Sequence, residues 1–199
     1  MRLLIMGPPG AGKGTQAARL ASFLQIPAIS TGDIFRANVA GRTELGLQAQ
    51  RYVAAGEYVP DEITNGMVRS RLSEPDARDG WLLDGYPRTL AQVAELDDIA
   101  ASSSGTLHGV LALHVDEDEL VRRLAHRAAV EGRVDDTESV IRRRQQLYQE
   151  QTTPLLQTYA DRGLLLTIDG RGHVDHVHGE VRAAVETIAA RRTTPVSGG

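Results

Sequence analysis

The sequence predicts an α/β fold in which helices flank a parallel sheet of five strands. Short continuous apolar runs recur along the chain, helical patterns separate most of them, and Gly, Asp or Pro bounds each run. Such runs are typical of strands that are buried on both faces, and their alternation with helices is typical of right-handed crossover connections. The chain has 199 residues, of which 41% are hydrophobic. This is enough for one packed domain and too much for a disordered or fibrous chain.

The elements follow one another in a regular order. The predicted strands are residues 3–6, 27–29, 81–83, 110–115 and 164–168. Apolar residues three or four positions apart predict helices at 13–24, 33–39, 45–55, 62–72, 90–100, 117–127, 138–162 and 174–191. The weakest strand pattern is 27–29, which has only three residues.

Two stretches interrupt the alternation of strands and helices. Residues 30–59 contain helical pieces without a strand, and residues 128–136 form a polar loop between two helices. Ligands of open α/β sheets bind at the carboxyl ends of the strands, so these excursions are expected to cover a site there. We therefore predict a single domain whose core comprises 1–29, 60–127 and 137–191, followed by a frayed tail at 192–199.

Charge and composition exclude several classes of function. The chain has 22 Lys and Arg against 26 Asp and Glu, so its net charge of −4 opposes bulk attraction to nucleic acid or anionic lipid. It has no Cys, which excludes disulfides, zinc–thiolate sites and thiol nucleophiles. No apolar run approaches the ~20 residues of a membrane span, and the four apolar residues near the N-terminus are too few for a signal peptide. We expect a cytoplasmic protein that binds neither nucleic acid nor a membrane.

A glycine-rich loop follows the first predicted strand and precedes a helix. Its sequence, GPPGAGKGT, occupies residues 7–15. Glycines let successive backbone N–H groups point at a phosphate, the helix N-terminus adds a partial positive charge, and Lys13 can reach the outer phosphates. The sequence therefore predicts a P-loop NTPase-like core. Gly14 stands where Ser or Thr is usual, and the hydroxyl comes one position later, in Thr15, so a metal is expected to be held more through phosphates, water and a carboxylate.

Five motifs in order resemble those of adenylate kinases. They are GPPGAGKGTQA at 7–17, STGDIFR at 30–36, GEYVPDE at 56–62, DGYPRT at 84–89 and RVDD at 133–136. The resemblance spans nearly the whole chain and implies reversible transfer of the terminal phosphoryl group of Mg-ATP to AMP, giving two ADP. It also implies that 30–59 is an NMP-binding insertion and that 128–136 is a lid. This lid resembles the short form found in the family, although 128–132 makes it a few residues longer than is typical.

The resemblance further implies the site residues. ATP would be bound by Gly10, Ala11, Gly12, Lys13, Gly14, Thr15, Arg123, Arg127 and Gly172. AMP would be bound by Thr31, Arg36, Glu57, Tyr58, Val59, Gly85, Tyr86, Pro87, Arg88, Gln92, Arg133 and Arg144. The catalytic groups would be Lys13, Arg88, Arg123, Arg133 and Arg144. Asp84 would meet the Mg²⁺ ion through water, and its simpler role is to form the turn before Gly85.

These cations suit the implied chemistry. The attacking oxygen of an AMP phosphate is already ionised near neutral pH, so no protein base is needed. ATP and AMP together bring roughly six negative charges, since each terminal phosphate loses its second proton near pH ~6. Positioning and positive charge must therefore do most of the work, and the planar fork of arginine grips two phosphate oxygens at once.

The helical pattern at 138–162 distinguishes three consecutive arginines. At about 100° per residue, Arg144 falls in the middle of the apolar face, Arg143 falls at its margin and Arg142 points away. Because an unpaired charge on an apolar face is costly, Arg144 needs an inward partner. That partner is either a ligand phosphate or a structural carboxylate. Arg123 and Arg127 share a helix face, and a solvated charged rim would show the same spacing.

Other titratable residues have simpler explanations. His173, His176 and His178 lie mostly on the polar side of an amphipathic helix, which favours a solvated helix start over a metal site, and no structural zinc is expected. Asp135 and Asp136 would brace the lid arginines or cap the following helix. Met6 and Trp81 are predicted to be packing residues.

Two other functions compete with this interpretation. The first is a kinase for UMP or CMP. Two residues bear on this choice: Thr31, where pyrimidine kinases of this type tend to carry a small residue, and Gln92, whose amide can pair with adenine. The second is a P-loop switch or motor that hydrolyses ATP. Such proteins usually carry a water-activating acidic residue after the corresponding Asp, whereas here Asp84 is followed by Gly85. There is also no Asn-Lys-x-Asp motif of the kind that reads guanine in GTPases. We expect ATP, AMP and ADP as substrates of a monomeric protein.

Overall fold

A five-stranded parallel sheet forms the centre of the molecule. The computed structural model describes residues 1–102, 105–131 and 137–193, with the backbone alone for 128–131 and 192–193. The strands run in the order β2-β3-β1-β4-β5, and every neighbouring pair is parallel. They are β1 (Arg2–Met6), β2 (Ala28–Ser30), β3 (Trp81–Asp84), β4 (Gly109–His114) and β5 (Leu165–Asp169). All five predicted strands are confirmed, each within one residue at either end.

Nine α-helices occur in the described part of the chain. They are α1 (Lys13–Leu24), α2 (Thr31–Ala40), α3 (Glu44–Ala55), α4 (Asp61–Leu72), α5 (Leu90–Ser102), α6 (Glu117–Glu131), α7 (Glu138–Leu147), α8 (Thr153–Asp161) and α9 (Val174–Thr193). One short 3₁₀ turn, Pro75–Ala77, was not predicted.

Two helices extend further than the sequence pattern indicated. We predicted that α6 would end at residue 127 and that a loop would begin at 128, which is wrong, because the helix continues to Glu131. Residues 128–131 are Ala, Ala, Val and Glu, of which Ala and Glu are strong helix formers. Similarly, α9 includes residues 192 and 193, which we had placed in the tail. The remaining lid residues 132–136 and tail residues 194–199 lie outside the described part.

A π-helical turn divides the long helix predicted at 138–162. Residues Tyr148–Thr152 form this turn, and the backbone N–H of Thr153 donates to the carbonyl of Tyr148, five residues earlier. The prediction of one uninterrupted α-helix is therefore wrong at this point. Pro154 follows directly, and because proline has no N–H and clashes with the preceding turn, regular α-helical bonding cannot pass through it.

Both faces of the sheet are covered by helices. Alternate residues of β1 point to opposite sides, so Leu3 and Ile5 pack in the layer that contains α1 and α9. Leu4 and Met6 pack in the layer that contains α5 and α8. Met6 and Trp81 are buried in this second layer, which confirms their prediction as packing residues.

Residues between β2 and α4 form a smaller unit. Helices α2 and α3 pack on each other, and Phe35, Ala49 and Val59 form a small separate core there. Side-chain caps define both helix starts, because Ser30 Oγ accepts from the backbone N–H of Asp33 and Thr43 Oγ1 accepts from that of Gly46.

The strand order brings several loops together at the carboxyl edge of the sheet. Because all five strands are parallel, the segments after β1, β3 and β5 leave the sheet on the same side. No helix in the described part of the chain is long and apolar enough to cross a membrane.

Candidate active site

The glycine-rich loop connects β1 to α1 as the sequence predicts. Gly10 and Gly12 have φ angles of 88° and 86°, in the left-handed region that favours glycine. A Cβ at Gly10 would lie 2.9 Å from Leu124 Cγ, so the loop packs closely against α6. Lys13 folds back over the loop, where its Nζ donates to the carbonyls of Gly7 at 2.7 Å and Pro8 at 3.0 Å.

This loop forms one wall of a wide cleft. The predicted ATP-binding residues all line it, namely Gly10, Ala11, Gly12, Lys13, Gly14, Thr15, Arg123, Arg127 and Gly172. The sequence reasoning missed Glu119 and His126, which also line the cleft from α6. The sequence signal for Glu119 was its position four residues before Arg123, a spacing typical of ion pairs within a helix.

Arg123 is held in place by that acid. Its Nε donates to Glu119 Oε1 at 2.7 Å, and the exposed Arg122 pairs with the other oxygen of Glu119. A Cβ at Gly12 would lie 3.9 Å from Arg123 Nη1, so the guanidinium lies over the phosphate loop. This placement disfavours the alternative of a fully solvated rim for Arg123.

Asp84 ends β3 beside the phosphate loop. Burial raises the pKa of its carboxyl, and the neighbouring charges of Lys13 and Arg88 oppose that rise. Burial also lowers the pKa of Lys13 to about 8, against the attraction of Asp84. A Cβ at Gly14 would lie 3.8 Å from Asp84 Oδ2, which shows how closely the carboxyl approaches the loop.

These donors fit a magnesium ion bound together with a nucleotide. Mg²⁺ typically keeps several waters and is held by one or two carboxylates and the phosphates of the substrate. Asp84 would supply the carboxylate, and Thr15 lines the same cleft. In the described residues there is no cluster of three or more His, Cys, Asp or Glu that could hold a metal alone.

A second pocket opens between the α2–α3 unit and the sheet. Nine predicted AMP-binding residues line it, namely Thr31, Arg36, Glu57, Tyr58, Val59, Gly85, Arg88, Gln92 and Arg144. Tyr86 and Pro87 line a smaller adjoining cavity with Lys13. Arg133, the remaining predicted residue, lies outside the described part, as do Asp135 and Asp136.

Arg88 is one of the residues that line this pocket. Its Nε donates to the carbonyl of Gly85 at 2.8 Å, and its guanidinium carbon lies 4.9 Å from the centre of the Tyr58 ring. A Cβ at Gly85 would lie 2.7 Å from Thr31 Oγ1 and 2.9 Å from Arg88 Nη2, so only glycine fits between them.

Tyr58 and Thr152 connect the pocket to the π-helical turn. The Tyr58 hydroxyl and Thr152 Oγ1 are 2.9 Å apart, and Thr152 Oγ1 donates to the carbonyl of Arg88 at 3.1 Å. Sequence reasoning missed Thr152, because the periodic pattern did not show the π-helical turn that presents it.

The three consecutive arginines of α7 point in three directions. Arg142 is exposed and pairs with Glu138 on its own helix. Arg143 forms a two-pronged ion pair with Glu57, and Arg144 lines both the cleft and the pocket. The helical pattern therefore predicted the inward direction of Arg144 correctly. It did not identify Glu57 as the partner of Arg143, whose bonds lower the pKa of the Glu57 carboxyl.

Gln92 is almost completely buried, with 2% of its surface exposed. Its Oε1 accepts from the backbone N–H of Arg88 at 2.7 Å, and its Nε2 donates to Asp61 Oδ1 at 2.6 Å. Asp61 was not among the predicted site residues. Its signal was its place in the GEYVPDE motif, of which Gly56, Glu57, Tyr58 and Val59 line the pocket.

Three further side chains make contacts in this region. The Tyr86 hydroxyl donates to Asn65 Oδ1 on α4 at 2.9 Å. His178 Nδ1 lies 3.3 Å from Gln16 Oε1, and His173 lies beside Asp175 at the exposed start of α9.

The chain is similar to known proteins of one family. A family model described as adenylate kinase matches residues 5–164. The adenylate kinase of Nocardioides sp. is 61% identical over 188 residues, covering 94% of this chain and 98% of that protein. That of Kocuria rhizophila is 58% identical, covering 93% of this chain and 98% of its own. That of Thermobifida fusca is 56% identical, covering 95% of this chain and all of its own.

Proposed function

Because the chain belongs to the adenylate kinase family, we propose that its cleft binds ATP and that its pocket binds AMP. The protein is an enzyme that reversibly transfers the terminal phosphoryl group of ATP to AMP, giving two ADP. We infer the part that each residue takes in that reaction from its place in the cleft or the pocket.

One observation supports the assignment most directly. Arg88 and Arg144 line both the phosphate-loop cleft and the pocket under α2 and α3. A phosphoryl group that moves from a donor in the cleft to an acceptor in the pocket would pass between these two guanidinium groups. They are therefore positioned to offset the charge that spreads over the transferring group.

Lys13 and Arg123 would act on the donor side. Lys13 now donates to two carbonyls of its own loop, and the outer phosphates of ATP would replace these weaker neutral acceptors with charged ones. Arg123 would grip the same phosphates from above while Glu119 keeps its guanidinium oriented. Arg127 and Gly172 would complete the ATP site.

The acceptor side would use Thr31, Arg36 and the segment from Glu57 to Val59 to hold AMP. Arg36 is paired with Asp33 at 2.5 Å, which keeps its guanidinium beside Gly32 at the start of α2. This position suits contact with the phosphate of AMP, for which no base is required.

A magnesium ion bound with ATP would be held near Asp84, and it would supply positive charge on the phosphates. Residues 30–59 are proposed to form the NMP-binding insertion, and 128–136 with Arg133 to form the short lid. Both would exclude water, which otherwise competes as the acceptor. We also propose a cytoplasmic monomer without nucleic-acid or membrane partners.

Arg88→Ala provides the test of the phosphoryl-transfer site. We expect kcat to fall by roughly 10²-fold or more, as for loss of other preorganised groups that stabilise a transition state. The circular dichroism spectrum and melting temperature should stay close to those of the parent chain. Arg142→Ala is the matched control, because this exposed arginine lies on the outside of α7. Normal turnover by Arg88→Ala would exclude the role assigned to Arg88.

A coupled assay across acceptors tests the base specificity. ADP should form from ATP with AMP in preference to CMP, UMP and GMP, and its formation should depend on magnesium. A clear preference for CMP would overturn the assignment of the acceptor. Rapid phosphate release without any acceptor would instead favour an ATP-driven switch or motor.

A further inference from the structure

Gln92 is held by two partners of opposite hydrogen-bonding character. Asp61 Oδ1 accepts from Gln92 Nε2 at 2.6 Å, and the backbone N–H of Arg88 donates to Gln92 Oε1 at 2.7 Å. Asp61 is itself oriented, because the Thr89 hydroxyl donates to its other oxygen at 2.8 Å. The backbone N–H of Gln92 donates back to Thr89 Oγ1 at 3.2 Å, which closes the network.

This arrangement allows only one orientation of the Gln92 amide. If the amide were rotated by 180°, its oxygen would face the Asp61 carboxylate, and its NH₂ group would face the N–H of Arg88. Two acceptors and two donors would then oppose each other in a buried place, where unmatched polar groups are costly. The carboxylate and the backbone N–H therefore act together as a lock.

The lock leaves half of the amide free for a ligand. An amide has two N–H donors and two acceptor lone pairs, of which Asp61 and Arg88 use one each. One donor and one acceptor, side by side, remain on a side chain that lines the pocket.

We propose that Asp61 is a specificity-determining positioning residue that commits Gln92 to bases with an amino group next to a ring-nitrogen acceptor. Adenine presents this pair, with its N6 amino donor and N1 acceptor, to which the free oxygen and N–H of the locked amide are complementary. Hypoxanthine and guanine present the reverse, an oxygen acceptor next to an N–H donor. The inference rests on the proposed binding of AMP in this pocket. Asp61 acts through Gln92 and does not itself touch the nucleotide.

Asp61→Ala tests the inference by the ratio of kcat/KM for AMP to that for IMP. IMP is the sharpest probe, because it differs from AMP only at the base edge that Gln92 would read. We expect the ratio to fall by about tenfold or more, through a higher KM for AMP, since the lost bond joins a charged acceptor to a buried amide. The KM for ATP should not change.

Glu62→Ala is the matched control. Glu62 is the next residue in the first turn of α4, it is exposed, and its removal takes away the same helix-terminal charge. The AMP to IMP ratio of this variant should equal that of the parent chain.

These measurements test the role of Asp61 separately from the proposed phosphorylation of AMP. A parent chain that does not phosphorylate AMP would contradict the proposed function. A folded Asp61→Ala variant with the parental ratio, or with equal losses for AMP and IMP, would overturn the role of Asp61 alone. If Asp61→Ala does not fold, Asp61→Ser keeps a polar side chain that is too short to reach Gln92, and the same fall in the ratio is expected.

Discussion

Lys13 experiences opposing influences in the nucleotide-free chain. Burial lowers the pKa of its ammonium to about 8, whereas Asp84 raises it and two loop carbonyls accept its hydrogen bonds. The lysine therefore loses its charge within a pH range in which the arginines of the site stay protonated. A residue that must offset phosphate charge is useful only in its protonated form.

This predicts a pH dependence of ATP capture. Because kcat/KM for ATP reports the enzyme before ATP binds, its value should be flat near pH 7 and fall as the pH rises through about 8, approaching tenfold per pH unit. The measurement is a series of initial rates between pH 7 and 9.5 with AMP saturating. Lys13→Arg is the control, since its guanidinium stays charged, and its lower activity should be flat over this range. A flat profile for the parent chain would contradict the assignment.

Among the elements, α2 and α3 approach each other through a single glycine. A Cβ at Gly46 would overlap the carbonyl of Asn38 on α2. The backbones of the two helices are therefore in direct contact at Gly46, which leaves no room for a side chain. Gly66 lies inside α4, and a Cβ there would have no neighbour within 4 Å. Replacing each glycine by alanine therefore distinguishes the effect of packing on stability, at Gly46, from the effect of helix propensity, at Gly66.

Gly46→Ala should destabilise the protein by about 1–3 kcal/mol, the usual cost of an overpacked site. Gly66→Ala should stabilise it by about 0.5–1 kcal/mol, because alanine has less conformational freedom to lose on folding and favours the helix. Urea unfolding of both variants measures the difference. Equal free energies of unfolding would show that α2 and α3 can separate at no cost.

The π-helical turn shows how a local interruption contributes to the site. Pro154 prevents regular α-helical bonding, and the resulting turn contains Thr152, which joins Tyr58 to the carbonyl of Arg88. Helical elements on either side supply different groups: α7 carries Arg144 to the cleft, and α8 packs Leu155 and Tyr159 into the core.

For the whole molecule, the decisive property is that the cleft proposed for ATP and the pocket proposed for AMP meet. The net charge of −4 is opposed locally by six cations of the described residues that line the cleft or the pocket, namely Lys13, Arg36, Arg88, Arg123, Arg127 and Arg144. A single polyanion that reaches from one site to the other should therefore engage both groups of cations.

A bisubstrate mimic that joins two adenosines through five phosphates should bind with one molecule per chain. Calorimetry should give that stoichiometry, and the melting temperature should rise, since a ligand at 1,000 times its Kd stabilises the folded state by about 4 kcal/mol. Arg88→Ala should weaken the binding. If the parent chain gave neither detectable heat nor a thermal shift, the conclusion that the cleft and the pocket meet would be contradicted.

The sequence by itself determined the strands, most of the helices, the phosphate loop and the inward direction of Arg144. These features depend on local periodicity and on closely spaced glycines in one loop, so residues near one another in the chain contain the information. Tertiary structure alone decided which distant residues meet. Glu57 and Arg143 are 86 positions apart, and Asp61 and Gln92 are 31 apart. Periodicity shows which way a side chain points, but only the order of strands and the packing of helices decide which partner lies there.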